Sequence, residues 1–225
     1  MSMSWLAPAP TVVVRISTSS GAVHVRAEAD RTECWSNVAA LDGSPFTVDG
    51  DSSAVEVRVP EGTDLVIGTT SGRVTVEGRV GAVSALTTSG RISIDQARSV
   101  DARTKSGRVH VAHAEGVCRI VSVHGRVEVD RCGSADAASG SGQVVLADAH
   151  GHVRATSTSG KVSVAVAGAH DVEAETVSGR IAVTDPEGVR PRVVSPDADV
   201  AAATQGHDCT VVARSGSGRV VVSGR

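Results

Sequence analysis

Aromatic side chains are almost missing from this sequence. Among its 225 residues there are two Trp, one Phe and no Tyr. Proteins that stack nucleic-acid bases or sugar rings usually present such side chains, and a conventional two-sheet sandwich tends to fill its core with them. The composition therefore disfavours ring-stacking binders and indicates narrow strands around a core of small aliphatic residues.

A strong excess of charge is also missing, since the formal net charge is −3. No global basic field favours nucleic acid. No apolar run approaches the roughly 20 residues that span a bilayer, and the N-terminus lacks a basic segment followed by an apolar one. The sequence predicts a cytoplasmic protein without a membrane span, with association with the cell envelope as an alternative.

What the sequence contains instead is a repeated motif, Ser-Gly-(Arg/Lys)-(Val/Ile)-x-Val. Its glycines follow one another at intervals of 17 to 19 residues from Gly72 to Gly179, and Gly218 stands about two periods further on. Val193, Ser195 and Val200 fit a degenerate copy between the last two. A fixed period of this length is typical of repeat architectures.

Apolar residues alternate with polar ones twice in each repeat, which predicts two half-buried strands per coil. The first strand follows the glycine, as in Val109 and Val111, and the second precedes the next glycine, as in Cys118 and Ile120. One such unit cannot bury its apolar face alone, so we expect the coils to stack. A recurring Ala predicts that facing strands approach closely, and a recurring Thr or Ser predicts an internal ladder of hydroxyls satisfied by their neighbours.

These patterns predict an all-β fold, a β-solenoid resembling a parallel β-helix, with about 17–19 residues and two short strands per coil. We expect a flexible N-terminus at 1–10 and a single domain at 11–225. Within it, 11–60 forms irregular coils or a cap, and 61–225 forms the regular repeats. The recurring glycine is explained by a turn that needs positive φ or a close backbone approach.

The residue after each repeat glycine is basic in seven copies, and alternation turns it away from the core. Stacked coils would align these side chains into a cationic ladder about 4.8 Å apart, which suits an anionic protein or polymer. The alternative is a solvated face whose charge is offset by Glu77, Asp95, Glu128 and Asp130. The candidate binding residues are Arg73, Arg91, Arg108, Arg126, Lys161, Arg180 and Arg219.

The four cysteines form no CxxC pair, which predicts reduced thiols. His113, Cys132, His150 and His170 fall in predicted loops of four successive coils, and imidazole with thiolate suits zinc or copper. Their offsets from the repeat glycine drift, so we interpret them as exposed loop residues. No metal site and no cofactor is predicted.

The stretch from Val55 to Val76 contains a strand ending in Pro60-Glu61-Gly62, followed by Ser71-Gly72-Arg73-Val74. It resembles the bacterial "adhesin" family of β-strand-repeat domains, which combines such a strand with repeated Ser-Gly-x-Val units. The resemblance covers roughly residues 10 to 225. It implies a β-helix-like fold and no established enzymatic activity.

No pairing of nucleophile and base, acidic cleft or phosphate loop accompanies the repeats, so the sequence predicts no enzymatic activity. We expect a rigid scaffold for contact with another protein or for self-association, and alternatively a binder of an anionic or cell-envelope polymer, with no specific nucleic acid as partner. The last apolar run, Val220-Val221-Val222, predicts an end strand whose outer edge is unpaired. Exposed strand edges tend to pair with strands of other molecules. Self-association is therefore predicted at the C-terminal edge.

Overall fold

The structure is a computed structural model that describes residues 12–38, 45–166, 171–185, 200–203 and 211–224. Every regular element in these ranges is a strand, and the strands form one sheet. The predicted flexible N-terminus at 1–10 lies outside the described residues. The strands are β1 (Val13–Thr18), β2 (Val23–Glu28), β3 (Trp35–Ser36), β4 (Phe46–Asp49), β5 (Val55–Pro60), β6 (Asp64–Thr69), β7 (Val74–Thr87), β8 (Ile92–Thr104), β9 (Arg108–Ser122), β10 (Arg126–Ser139), β11 (Gln143–Ala149), β12 (Val153–Val166), β13 (Val172–Asp185), β14 (Val200–Ala203), β15 (Val211–Ser217) and β16 (Val220–Gly224).

The strand segments stack in parallel and in register, which confirms the predicted β-solenoid. Segments that follow a repeat glycine form a leading stack, in which Val109 lies between Ile92 and Val127. Segments that precede the next glycine form a trailing stack, in which Ile120 lies between Ala102 and Ala137. Parallel strands lie about 4.8 Å apart, so each position of the repeat becomes a column of side chains.

Period-2 alternation sends the aliphatic columns of both stacks into one core. The leading stack contributes Ile92, Ile94 and Val109, each at most 1% exposed. In the trailing stack the recurring alanine is equally buried, at 0% for Ala102 and Ala155. These small side chains belong to the same core as the aliphatic side chains of the leading stack.

The repeat glycine is required by a close approach of successive coils rather than by positive φ. A Cβ on Gly107 would overlap the carbonyl oxygen of Gly90, and a Cβ on Gly125 would overlap that of Gly107. Positive φ occurs at Gly62 and Gly78, outside the repeat motif, and among the repeat glycines of the described residues at Gly218 alone, with φ +158°. At the Ser-Gly turn, neighbouring coils therefore lie too close together for a side chain at the glycine position.

The middle of the coil differs from the prediction of a loop between two strands. β9 and β10 run through it without interruption, with a register shift between Cys132 and Ser134. Cys132 pairs in register with Ala114 and Ala149 and is 1% exposed. Its interpretation as an exposed loop residue is wrong, because small side chains continue the inward alternation through the bend.

The predicted hydroxyl ladder is buried, but its hydrogen bonding differs between coils. The backbone N–H groups of Gly72, Gly90 and Gly107 each donate to the Thr hydroxyl three residues earlier at 3.0 Å. In later coils the expectation of a neighbouring partner is wrong. Four hydroxyls there are buried without a hydrogen-bond partner in the structure, at Ser122, Ser139, Ser157 and Thr176.

The coils near the N-terminus do not stack in chain order. The first coil, β1–β2, lies between the coil formed by β4–β5 and the one that begins with β6. Strand β1 pairs with β4 on one side and with β6 on the other. Likewise, β2 pairs with β5 and with β7. The short strand β3 pairs antiparallel with the outer edge of β5.

The C-terminal end shows the same inversion. Strand β16 pairs with β13 through Ile181 and Val220 and with β14 through Val200 and Val220. The interpretation of β16 as a bare end strand is therefore wrong, because an earlier chain segment covers its outer edge. Val200 takes its place in the leading stack, whereas the rest of the degenerate copy, at 191–199, lies outside the described residues.

Candidate anion-binding surface

The residue after each repeat glycine occupies a straight column at the corner where the leading stack begins. Arg108 pairs in register with Arg126, and Lys161 pairs with Arg180. Gln143 lies between Arg126 and Lys161 and is the one neutral member. At about 4.8 Å per coil, eight consecutive coils give a column roughly 35 Å long. We call its seven charged members, Arg73, Arg91, Arg108, Arg126, Lys161, Arg180 and Arg219, the cationic column.

Every member of the cationic column is exposed to solvent. Within the described ranges none of the seven takes part in an ion pair, whereas ten arginines elsewhere do. Like charges at this spacing repel by about 1 kcal/mol per neighbouring pair in water. The column is therefore a line of charge that the described residues do not neutralise by direct contact.

Two of the acids that could offset the column contact other basic side chains. Glu77 contacts His24 at 3.0 Å and Arg26 at 3.1 Å. The close contact with His24, reinforced by Arg26, lowers the pKa of the Glu77 carboxyl. Asp130 contacts His110 at 3.1 Å. These carboxylates are engaged along the leading stack, away from the corner.

A column of hydroxyls runs beside the cationic column, on the other side of the glycines. Six of its members, Ser71, Ser89, Ser106, Ser141, Ser159 and Ser178, are exposed. His124 replaces Ser in one coil and contacts the Ser141 hydroxyl at 2.6 Å. Serine hydroxyls can donate hydrogen bonds to an oxyanion. The Ser89 and Ser106 hydroxyls also donate to the carbonyl oxygens of Thr70 and Thr88 at 3.5 Å. The corner thus places a row of exposed serines beside the row of cations.

The outer surface of the trailing stack carries charges of alternating sign. The charged residues at one position of this surface pair in register from coil to coil. Ion pairs join Arg119 to Asp136 at 3.4 Å and Arg154 to Glu173 at 3.7 Å. This face therefore neutralises itself. We call these residues, Asp101, Arg119, Asp136, Arg154 and Glu173, the alternating column.

A shallow groove of about 520 Å³ crosses the same trailing face. Its floor is low because Ala138 and Gly140 are small, and Val121 and Val123 stand beside it at 41% and 44% exposed. Val177, 64% exposed, lines the other side. The repeat pattern did not predict this groove, because Val121, Val123 and Val177 carry no charge that distinguishes them from other outward residues.

The thiols of the core are poorly suited to bind a metal. Burial raises the pKa of Cys132 to about 11, and burial also raises the pKa of Cys118. Metal ligation and nucleophilic attack both require the thiolate form. His113 lies on β9 and His150 contacts Asp148 at 3.4 Å, and His170 lies outside the described residues. No cluster of three or more potential ligands occurs in the searched part of the chain.

Within the residues described, no helix is long and apolar enough to cross a membrane.

Comparison with protein families matches residues 14–223 to the family described as Toastrack DUF4097. The match covers the leading and trailing stacks together. The family description contains no adhesin label and names no activity, so the match supports the β-solenoid fold that the resemblance implied and not the adhesin name. Neither the curated proteins nor the solved structures contain a significant match.

Proposed function

The chain belongs to the Toastrack DUF4097 family, and from that premise we propose that it is a non-catalytic binding scaffold whose cationic column engages an anionic macromolecular partner. The observation that carries the proposal is the set of exposed, unpaired cations aligned along eight coils. A repeat fold supports this role because each coil contacts only its neighbours and the stack presents extended surfaces.

The contrast between charges that are paired and charges that are not supports the choice of surface. Isolated exposed charges are ordinary, but a like-charged row costs electrostatic free energy that a solvated face has no need to carry. On the trailing face the same chain alternates the sign of its charges. The cationic column departs from that arrangement over most of its length, as a surface for an anionic partner would.

A cation-exchange experiment tests the proposal. The net charge of −3 opposes retention, so retention at neutral pH and low salt requires a local cationic surface. We expect the protein to bind the resin and to elute as salt screens the column.

Two triple variants locate the surface. Arg91, Arg108 and Arg126 are changed to Gln in the first, and Arg119, Arg154 and Arg214 in the second. Both lose the same charge, but the second set is engaged in ion pairs on the trailing face. Loss of retention in the first variant alone supports the proposal. Equal behaviour of the two variants, or no retention of the natural protein, contradicts it.

Self-association stays a separate prediction, now without its original structural reason, because β16 is covered by β14. Multi-angle light scattering over a concentration series checks it. A mass that rises with concentration at both low and high salt supports assembly through edges, and a constant monomer mass contradicts it.

A further inference from the structure

We propose that the partner of the cationic column is a linear acidic polysaccharide, a polyuronate, that lies along the stack axis and contacts several coils at once. This inference rests on the proposed function and names the chemical class of the partner. It follows from the shape of the charged surface, from the hydroxyl groups beside it and from the lack of aromatic rings among the described residues along it.

The shape indicates a linear partner. In-register pairing from Arg108 to Arg126 and from Lys161 to Arg180 keeps the cations in a single file, with roughly 4.8 Å between coils. A lipid surface presents its anions in a plane, whereas here the cations occupy one corner. An extended polymer can follow a straight line of about 35 Å.

The neighbouring groups indicate carboxylates and hydroxyls on that polymer. Guanidinium groups bind the two oxygens of a carboxylate as a fork. The exposed serines, such as Ser71 and Ser159, precede the cations by two residues and also face solvent. They can exchange hydrogen bonds with sugar hydroxyls. A polyuronate repeats one carboxylate and several hydroxyls with every sugar, an advance comparable to one coil.

The absence of stacking groups disfavours a single-stranded nucleic acid. Base-binding proteins place aromatic rings along the charged groove. The aromatic residues in the described ranges are Trp35 and Phe46, on strands β3 and β4 at the N-terminal end of the stack, beyond the end of the cationic column. Recognition here depends on charges and hydroxyls, which does not require the ring faces of the sugar.

The decisive variable is the length of the ligand. Galacturonate oligomers from the monomer to the octamer are titrated into the full chain by isothermal calorimetry at constant total carboxylate. A ligand that bridges successive coils gains effective concentration with each added contact, so we expect the octamer to bind about 100-fold more tightly than the dimer. Single-stranded DNA and vesicles of anionic lipid serve as competing ligands.

Two double variants that each remove two positive charges test whether the cationic column must be continuous. Arg108→Gln with Arg126→Gln joins the natural Gln143 to make a gap of three neutral coils. Arg73→Gln with Arg219→Gln removes the two ends and leaves the middle intact. We expect the gap to weaken octamer binding about tenfold more than removal of the ends, with little difference for the dimer. Far-ultraviolet circular dichroism checks that both variants fold.

The outcomes separate the two proposals. Length dependence together with the greater effect of the gap supports a polyuronate along the axis. Equal affinity per carboxylate at all lengths, or tighter binding of DNA or vesicles, overturns it and leaves the anion-binding function standing. No binding of any anionic ligand overturns this inference and the proposed function together.

Discussion

The cationic column and the alternating column are built from the same repeat with the same spacing between coils, yet they differ in how their charges are paired. On the trailing face, Arg119 and Arg154 each meet a carboxylate from the next coil. At the corner, Arg108 and Arg126 pair in register with each other, and neither forms an ion pair with a described residue. In-register stacking amplifies whatever sign pattern the repeat carries, so the sequence of a single position decides whether a face is neutralised or available.

The difference between the two columns depends first on the register of the coils. Gly107→Ala places a Cβ against the Gly90 carbonyl at the corner that aligns both columns. Because backbone must move to relieve this overlap, we expect a loss of about 3 kcal/mol in the free energy of unfolding. Urea denaturation followed by circular dichroism measures it.

Gly68→Ala is the matched control for Gly107→Ala. A Cβ there meets no atom within 4 Å, so its stability should stay within about 0.5 kcal/mol of the natural protein. Equal losses in the two variants would contradict the role assigned to the close approach of the glycines.

Overpacking behind the alternating column should have the next largest effect. Ala155 is fully buried between the stacks, and Ala155→Leu is expected to cost about 1–3 kcal/mol. The partly exposed Ala138, one coil away on the outer side, provides the control Ala138→Leu. Thermal unfolding measures both, and an unchanged midpoint for Ala155→Leu would mean that this column has room to spare.

Charge reversal should act in opposite directions on the two columns. Arg119→Glu places three acids in succession with Asp101 and Asp136, and we expect a loss of about 1 kcal/mol at low salt. Arg108→Glu places an acid between Arg91 and Arg126, and we expect a smaller gain.

Salt separates this electrostatic effect from packing. At about 1 M salt, where screening acts within about 3 Å, both differences should shrink toward zero. Urea unfolding at low and high salt provides the measurement. Two changes of the same sign would contradict the assignment of like-charge repulsion to the corner.

The smallest effect is expected at Glu77, whose pKa is lowered by its contact with His24, 3.0 Å away. A carboxyl with a depressed folded-state pKa stabilises the fold fully above its unfolded pKa and loses that contribution as the pH falls through the folded value. Glu77→Gln should therefore cost at most about 0.5 kcal/mol at neutral pH. The cost should vanish as the pH falls below 4.5.

The effect of Glu77→Gln on retention tests whether Glu77 offsets the charge of the cationic column. Since Glu77 contacts His24 and Arg26 rather than the corner, retention on the cation exchanger should not weaken. Stability measured against pH, with retention measured in parallel, distinguishes a local ion pair from an acid that offsets the cationic column.

The regular part of the fold could be predicted because its determinants recur at fixed positions. Alternation places Val109 and Val127 inward and leaves Arg108 and Arg126 outward, and pairing of identical positions follows once the coils stack. The exposed corner could be predicted for the same reason. Its freedom from ion pairs could not, because that depends on where Glu77 and Asp130 direct their carboxylates.

The order of the coils at the two ends could not be predicted from the repeat. Strand β2 presents Val23 and Val25 inward, as β5 presents Val55 and Val57. Either coil can therefore pack against β7 on local pattern alone. The middle of the coil was mispredicted for a related reason. Cys132 and Ala114 are small, so the sequence predicts a loop where the structure has a continuous strand.

The inverted order of the end coils has a mechanical consequence. A solenoid whose coils stack in chain order can be peeled from its end by breaking one row of backbone hydrogen bonds at a time. Here a load that reaches the fold just before Val13 acts on β1, which is held by β4 and by β6. A load at Gly224 acts on β16, held by β13 and β14. Tension on the chain must therefore break two rows of hydrogen bonds together at either end of the stack.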